Sequence, residues 1–195
     1  MSVHIPCLVH ENAKHRPQGE AIRWNGGGRS ITWEVLSHYV SSTVRHFKEF
    51  GIRPGDRVVF VTCFDPSFVI GILSLWRMGV SVSILDGGVS DVELAEALLL
   101  LQPALAILER KRKIKVCQML LEEVVALEEV KNFWCGSEEV VPKIDPQMEA
   151  VAFIDQGAVV SASYEDTLAG HCAGTGSFIQ MVVKGLRSGE TIVIP

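Results

Sequence analysis

Between Arg29 and Leu108 the chain alternates short, almost continuously apolar runs with longer amphipathic ones, and a capping or stop residue marks nearly every change of period. Thr32 stands where it can cap a helix over Trp33–Phe50, with Val35, Leu36, Tyr39, Val40, Thr43, Val44 and Phe47 on one face. Glu34, Ser37, Ser41, Arg45 and Lys48 recur on the other, and Gly51 ends the helix. A buried strand is predicted over Arg57–Thr62. Asp65-Pro66 then supplies an N-cap and a pre-organised first residue for a helix reaching about Met78, closed by Gly79. The next strand is Val80–Leu85, Ser90-Asp-Val-Glu93 fits a capping box before a helix over Val92–Leu101, and Pro103 precedes a strand over Ala104–Leu108. Strands joined through helices by short connections imply right-handed crossovers, so the expected fold is α/β: a largely parallel, doubly wound sheet with helices on both faces.

The flanks are read the same way. Ile5–His15 is expected to be a helix, with Ile5, Leu8, Val9 and Ala13 at helical spacing, and Ala21–Trp24 and Ser30–Thr32 are expected to pair as a hairpin around Asn25-Gly-Gly-Gly28. Lys115–Val130 is predicted helical and Asn132–Gln147 a connection. Ala150–Ile154 and Thr191–Ile194 are strand candidates separated by a helix near Ser177–Leu186. At 195 residues with 48% apolar content, the whole chain, 1–195, has enough material for one domain with a sizeable core. A formal net charge of -5 argues against nucleic-acid binding, which needs clustered cations. No run approaches the roughly 18 apolar residues of a membrane span, and Met1–His10 holds no basic stretch before an apolar run. The expectations are no nucleic acid, no membrane, and a cytoplasmic location. Cys7, Cys63, Cys117, Cys135 and Cys172 are scattered without a C-x-x-C pair, which fits reduced, mostly core thiols and no zinc site.

Few residues invite chemistry. Glu109-Arg-Lys-Arg-Lys-Ile-Lys115 reads as a solvated loop neutralised by Glu122, Glu123, Glu128 and Glu129 in preference to a polyanion site. Gly26-Gly-Gly28 and Gly87-Gly88 lack the strand-to-helix placement of a dinucleotide cradle. Gly170-His-Cys-Ala-Gly-Thr-Gly176 is the glycine-rich stretch that does precede a helix; an anion at the helix N-terminus stands against the plainer reading of capping and tight turns. His171 and Cys172 are adjacent and so diverge, which disfavours a thiol–imidazole pair. His4, His10 and His15 do not share a helical face, so no metal site is expected, and the four tryptophans are read as core and edge-packing residues.

Ser30-Ile-Thr-Trp-Glu-Val-Leu36, Gly51-Ile-Arg-Pro-Gly-Asp-Arg-Val58, Phe68-Val-Ile-Gly-Ile-Leu73, Arg77-Met-Gly79 and the run to Leu85-Asp86 resemble, in order and spacing, the N-terminal region of the adenylate-forming superfamily of acyl-CoA synthetases, luciferases and nonribosomal-peptide adenylation domains. The resemblance covers about 1–108; 109–149 is a variable connection, and 150–195 is a divergent continuation. There His171-Cys-Ala-Gly174 resembles the family's H-x-x-G segment, which lines the acyl pocket, and Gly174-Thr-Gly176 is similar to aryl-acid ligases of menaquinone synthesis. The resemblance therefore implies His171, Gly174, Thr175 and Gly176 as acyl-pocket or ligand candidates. It also implies ATP/AMP, Mg2+ and CoA as the family's cofactors. The Ser/Thr/Gly-rich phosphate loop ending in Pro-Lys-Gly should follow Ala150–Ile154, yet Asp155-Gln-Gly-Ala-Val-Val-Ser-Ala-Ser163 stands there, with Gly157–Ser163 resembling the strand beyond the loop. No residue of this chain is assigned the family's magnesium-holding, ribose-binding or catalytic-lysine roles, and no catalytic residue is named.

Three functional readings follow. The chain is a truncated or divergent relative of an ATP-dependent acyl- or aryl-acid–CoA ligase that is not active alone. Alternatively it is the scaffold subunit of a split enzyme completed by a second polypeptide, or a non-catalytic binding or regulatory module. A small carboxylate is the ligand that the first two imply.

Overall fold

The computed structural model describes residues 5–24, 28–62, 65–108, 124–130, 144–169 and 176–194. Helix α1 (Ile5–His15) leads into an antiparallel pair, β1 (Glu20–Trp24) and β2 (Arg29–Thr32), then helix α2 (Trp33–Glu49). Strand β3 (Arg57–Thr62), helix α3 (Pro66–Met78), strand β4 (Ser81–Asp86), helix α4 (Asp91–Leu101) and strand β5 (Leu105–Leu108) follow. Next come β6 (Val124–Ala126), a single helical turn α5 (Leu127–Val130), β7 (Glu149–Asp155), β8 (Ala158–Ser163), α6 (Tyr164–Ala169), α7 (Gly176–Ser188) and β9 (Ile192–Val193).

The six-stranded sheet has the order β6-β5-β3-β4-β7-β8, parallel throughout except for antiparallel β8 at the edge. Successive β3 residues go to opposite faces. Val58 and Phe60 join the core built by α1, α2, α3 and α7, whereas Val59 and Val61 pack with Leu94, Leu98 and Leu101 of α4. The sheet is thus doubly wound, as the crossover pattern requires. A second, three-stranded sheet, β2-β1-β9, pairs the first strand with the last in parallel, Ile22 opposite Ile192.

Local signals explain most boundaries. The Thr32 hydroxyl accepts from Val35 N at 3.4 Å, and the Asp65 carboxylate accepts from Phe68 N at 3.0 Å with Pro66 as the first helical residue. Ser90 and Glu93 close a reciprocal capping box, and its hydrogen bonds hold the Glu93 carboxyl below its usual range. Gly79 ends α3 at φ 78°, a left-handed conformation that favours glycine.

Three expectations are corrected. Val124–Ala126 is a strand and only Leu127–Val130 is helical, so the predicted helix over 115–130 does not extend through its end; residues 115–123 lie outside the described residues. Val125 is buried beside β5, where a β-branched residue packs better on a pleated surface than in a solvated helix. Ser37 and Ser41, placed on the polar face of α2, are buried. Their small side chains fit among packed helices, and Ser41 Oγ donates to Ser37 O at 2.8 Å while accepting from Arg77 Nη1 at 2.8 Å. Cys7 is exposed, not core; the other four cysteines lie outside the described residues.

Long-range polar contacts tie the layers together along the amino edge of the main sheet. Arg57 Nε and Nη2 donate to the two Glu149 oxygens, each at 2.9 Å, and Arg57 Nη1 donates to Leu101 O at 2.6 Å. One guanidinium thereby links β3, β7 and the end of α4. The indole of Trp76 donates to Ala150 O at 3.0 Å, and the buried Tyr164 hydroxyl donates to Val80 O at 2.9 Å. At the chain's other seam, Asn12 Nδ2 donates to Leu186 O and Arg16 Nη1 to Gly189 O, so α1 satisfies carbonyls at the end of α7.

Arg57→Ala is expected to lower unfolding free energy by about 2 kcal/mol, the scale of charge-assisted hydrogen bonds in a half-buried pair. A double-mutant cycle with Glu149→Gln in urea should show coupling; additive effects would rule it out. Burial holds the Tyr164 phenol well above the ordinary tyrosine range. An unfolded tyrosine ionises near pH ~10, so the stabilisation is present in full below that pH and is lost as pH rises above it, where unfolding releases a proton. Tyr164→Phe should cost about 1 kcal/mol at neutral pH and flatten the alkaline loss of stability seen by denaturation between pH 9 and 11; an unchanged slope would contradict this assignment.

Candidate functional site

In an open α/β sheet, ligands bind outside the carboxyl ends of adjacent strands whose exits lead to opposite faces. Here β3 exits to α3 on one face and its neighbour β4 exits to α4 on the other. The position this rule marks lies between the end of β3 and the turn after Asp86. Asp65 is occupied as the N-cap of α3, and Asp86 Oδ1 accepts from Gly88 N at 2.6 Å. Both of these carboxylates therefore hold backbone.

A second helix N-terminus converges on the same edge. The rings of Phe68, in the first turn of α3, and Phe178, in the first turn of α7, lie 5.1 Å apart. Phe60 of β3 meets Phe68 edge-on, also at 5.1 Å. Gly71, one turn further along α3, lies so close to β3 that a Cβ would stand 2.9 Å from Phe60 Cζ. Of the predicted ligand residues, Gly176 opens α7 at this junction. His171, Gly174 and Thr175 lie outside the described residues, within the segment that leads into it.

Sequence reasoning missed Phe68, Phe178 and Ser67. Ser67, second residue of α3, is wholly buried and its hydroxyl has no hydrogen-bond partner in the structure. A polar residue directly behind a Pro N1 was the one available signal for it. The two phenylalanines are 110 positions apart and read only as apolar members of separate helices.

The exit of β7 carries the largest departure from the expected layout. β7 and β8 are joined by Gln156-Gly157 alone, with φ values of 48° and 79°, and Asp155 pairs directly with Ala158. Both central residues at positive φ make this a tight hairpin of the type whose twist matches its strands. Two clefts lie elsewhere. One of about 600 Å³ runs along α7 and is lined by Leu168, Gln180, Val183, Lys184, Arg187 and Ser188. Another of about 340 Å³ sits where α2 and α3 end, around Lys48, Ile52, Arg53 and Met78. Among the described residues no group of three His, Cys, Asp or Glu side chains is placed to hold a metal ion, and no helix is long and apolar enough to cross a membrane.

Gly157→Ala should lower stability by about 1 kcal/mol through its left-handed backbone alone, since a Cβ there meets nothing within 4 Å. Chemical denaturation measures it. No loss would mean that the turn is not held in this conformation.

The comparisons agree with this architecture. The model of the AMP-binding enzyme family matches residues 9–169. A structure of VinN with L-aspartate superposes on 98% of the chain with a TM-score of 0.84 at 15% identity. A Mycobacterium tuberculosis fatty acyl CoA synthetase superposes on 97% with 0.79 at 10% identity, and Klebsiella oxytoca NpsA in complex with 3-hydroxyanthranilyl-AMSN on 100% with 0.82 at 13% identity. Among curated proteins, malpinin synthetase of Mortierella alpina is 28% identical over 76 residues, 37% of this chain and 1% of that protein. The chain spans 57%, 43% and 43% of the three solved chains. Matched over 161 of its 195 residues, the chain belongs to the AMP-binding enzyme family.

Proposed function

We propose that this chain is the scaffold and acid-side portion of an acyl- or aryl-acid–CoA ligase relative, and that by itself it does not form an adenylate. The observation that carries this is the two-residue connection between β7 and β8. Family resemblance puts the phosphate loop after this strand. Phosphoryl chemistry needs several backbone N–H groups, hydroxyls and a cation held around the β- and γ-phosphates. Gln156-Gly157 offers no hydroxyl and no cation, so the residues at this position do not fit a nucleotide triphosphate or its magnesium, and no step through them is derived.

The acid side is supported differently. The Phe60–Phe68–Phe178 stack fixes the start of α7, which Gly176 opens, at the carboxyl edge, and His171, Gly174 and Thr175 directly precede it in sequence. A helix N-terminus held in place by this buried stack suits an anionic group such as a carboxylate. A split enzyme is the second reading, favoured by Val193 on β9, which is 51% exposed on a strand paired only with β1 among the described residues. A binding module without chemistry is the third.

Carboxylate-dependent ATP–pyrophosphate exchange and calorimetric titration separate these. The expected result is no exchange with any aliphatic or aryl acid and no saturable heat with ATP–magnesium, but saturable heat with a non-hydrolysable acyl-adenylate analogue. Saturable ATP–magnesium binding would overturn the loss of the nucleotide site. Absence of heat with the analogue as well, from folded protein, would leave the binding-module reading. Exchange that appears only with a second polypeptide would establish the split enzyme.

A further inference from the structure

Strand β8 closes the main sheet, and its outer flank pairs with no other strand among the described residues. An edge of this kind is normally guarded by a lysine, a proline, a bulge or short length. β8 runs six residues, Ala158-Val-Val-Ser-Ala-Ser163, without charge or proline, and its register irregularity sits at the far end, opposite Glu149 and Val151. Val159 and Val160 are 37% and 40% exposed and, being consecutive, belong to opposite faces of the sheet.

The ends of the edge are acidic. Asp155 stands exposed at the hairpin tip, and Glu165 and Asp166 stand exposed in the first turn of α6. A second copy of the chain is a poor occupant. Antiparallel two-fold pairing of β8 about Val160 and Ser161 brings the Asp155 turn of one copy to the Glu165–Asp166 turn of the other at both ends, and each copy carries a net charge of -5. The complementary occupant has the opposite ends.

We propose that β8 is a strand-addition site for an extended segment of a partner polypeptide, apolar and uncharged across about five residues and bearing Lys or Arg at both ends. Main-chain hydrogen bonds to the flank left unpaired among the described residues supply the attachment, Val159 and Val160 offer one apolar contact on each face, and the acidic ends discriminate against acidic segments. The inference goes beyond the proposed function and stands on the edge alone, whether or not the chain binds an acid.

Two fluorescein-labelled peptides with the common core Thr-Val-Ile-Val-Thr, one ended by lysines and one by glutamates, are titrated into the full chain with anisotropy as readout. Saturable binding of the lysine-ended peptide, at least tenfold tighter than the glutamate-ended one and weakening with salt, is the expected result, with amide-exchange protection concentrated in residues 158–163. Val160→Lys should weaken it at least tenfold at an unchanged far-ultraviolet spectrum. Ser161→Lys, at an exposed position that leaves the core untouched, should do the same if Val160→Lys does not fold. No saturable binding, equal binding of both peptides, or protection elsewhere would overturn the proposal. So would sedimentation showing that the chain alone dimerises with β8 protected, which would make a second copy the occupant.

Discussion

The burial of β3 on both faces is the constraint on which the rest of the structure depends. Val58, Val59, Phe60 and Val61 are each fully buried, so neither face tolerates water and each needs a helix over it. That requirement sends α3 to one side and α4 to the other, and with them the exits of β3 and β4. The same strand reaches the candidate site through aromatic contact. Phe60 supports Phe68 and Phe68 supports Phe178, so a core residue fixes where α7 begins. Edge-to-face and tilted ring pairs contribute roughly 0.5–1.5 kcal/mol each beyond their buried area, enough to favour one helix position over its neighbours.

The end of α7 is held by an unrelated device. Asn12 of α1 donates to Leu186 O in the last turn of α7 and Arg16, just past α1, to Gly189 O just beyond α7, across 174 and 173 positions of sequence, and β9 then pairs with β1. Gly189 follows in a left-handed conformation, φ 66°, with its Cβ direction filled by the Arg16 guanidinium. The backbone angle favours glycine there, and a Cβ would displace the Arg16 guanidinium from its bond to Gly189 O. With both ends of α7 tied to distant elements, the position of this helix is a property of the whole fold rather than of the local sequence.

Where local chemistry decides structure, the sequence is legible. Thr32, Asp65-Pro66, Gly79 and the Ser90–Glu93 box each satisfy or end a helix through groups within a few residues, and α2, α3 and α4 start within one residue of the predicted positions. Reading fails where partners are distant. Val124–Ala126 pairs beside β5 within a stretch read as helical from Lys115 to Val130, and that pairing partner lies far back in the sequence. Ser37 and Ser41 are polar by type but buried by packed neighbours. The gathering of Ser67, Phe68 and Phe178 at one edge is a tertiary fact with no sequence period. β8 was legible only through family resemblance, because Ala158–Ser163 carries the alternation of neither a half-buried strand nor an amphipathic helix.

The interactions that hold the fold and the place where family chemistry would reside are at opposite edges of the main sheet. Arg57–Glu149, Trp76–Ala150 and Tyr164–Val80 all lie at the amino edge, whereas the Asp155–Ala158 turn lies at the carboxyl edge and contributes none of them. A two-residue turn in place of a longer loop also lowers the entropy cost of closing the hairpin, and its positive φ values match the natural twist of the strands. A two-residue turn in place of a longer loop at this position is therefore close to neutral for folding, whatever it does to chemistry. That asymmetry is why strong superposition on adenylate-forming enzymes is compatible with so short a β7–β8 turn, and why activity has to be argued from the turn and not from the fold.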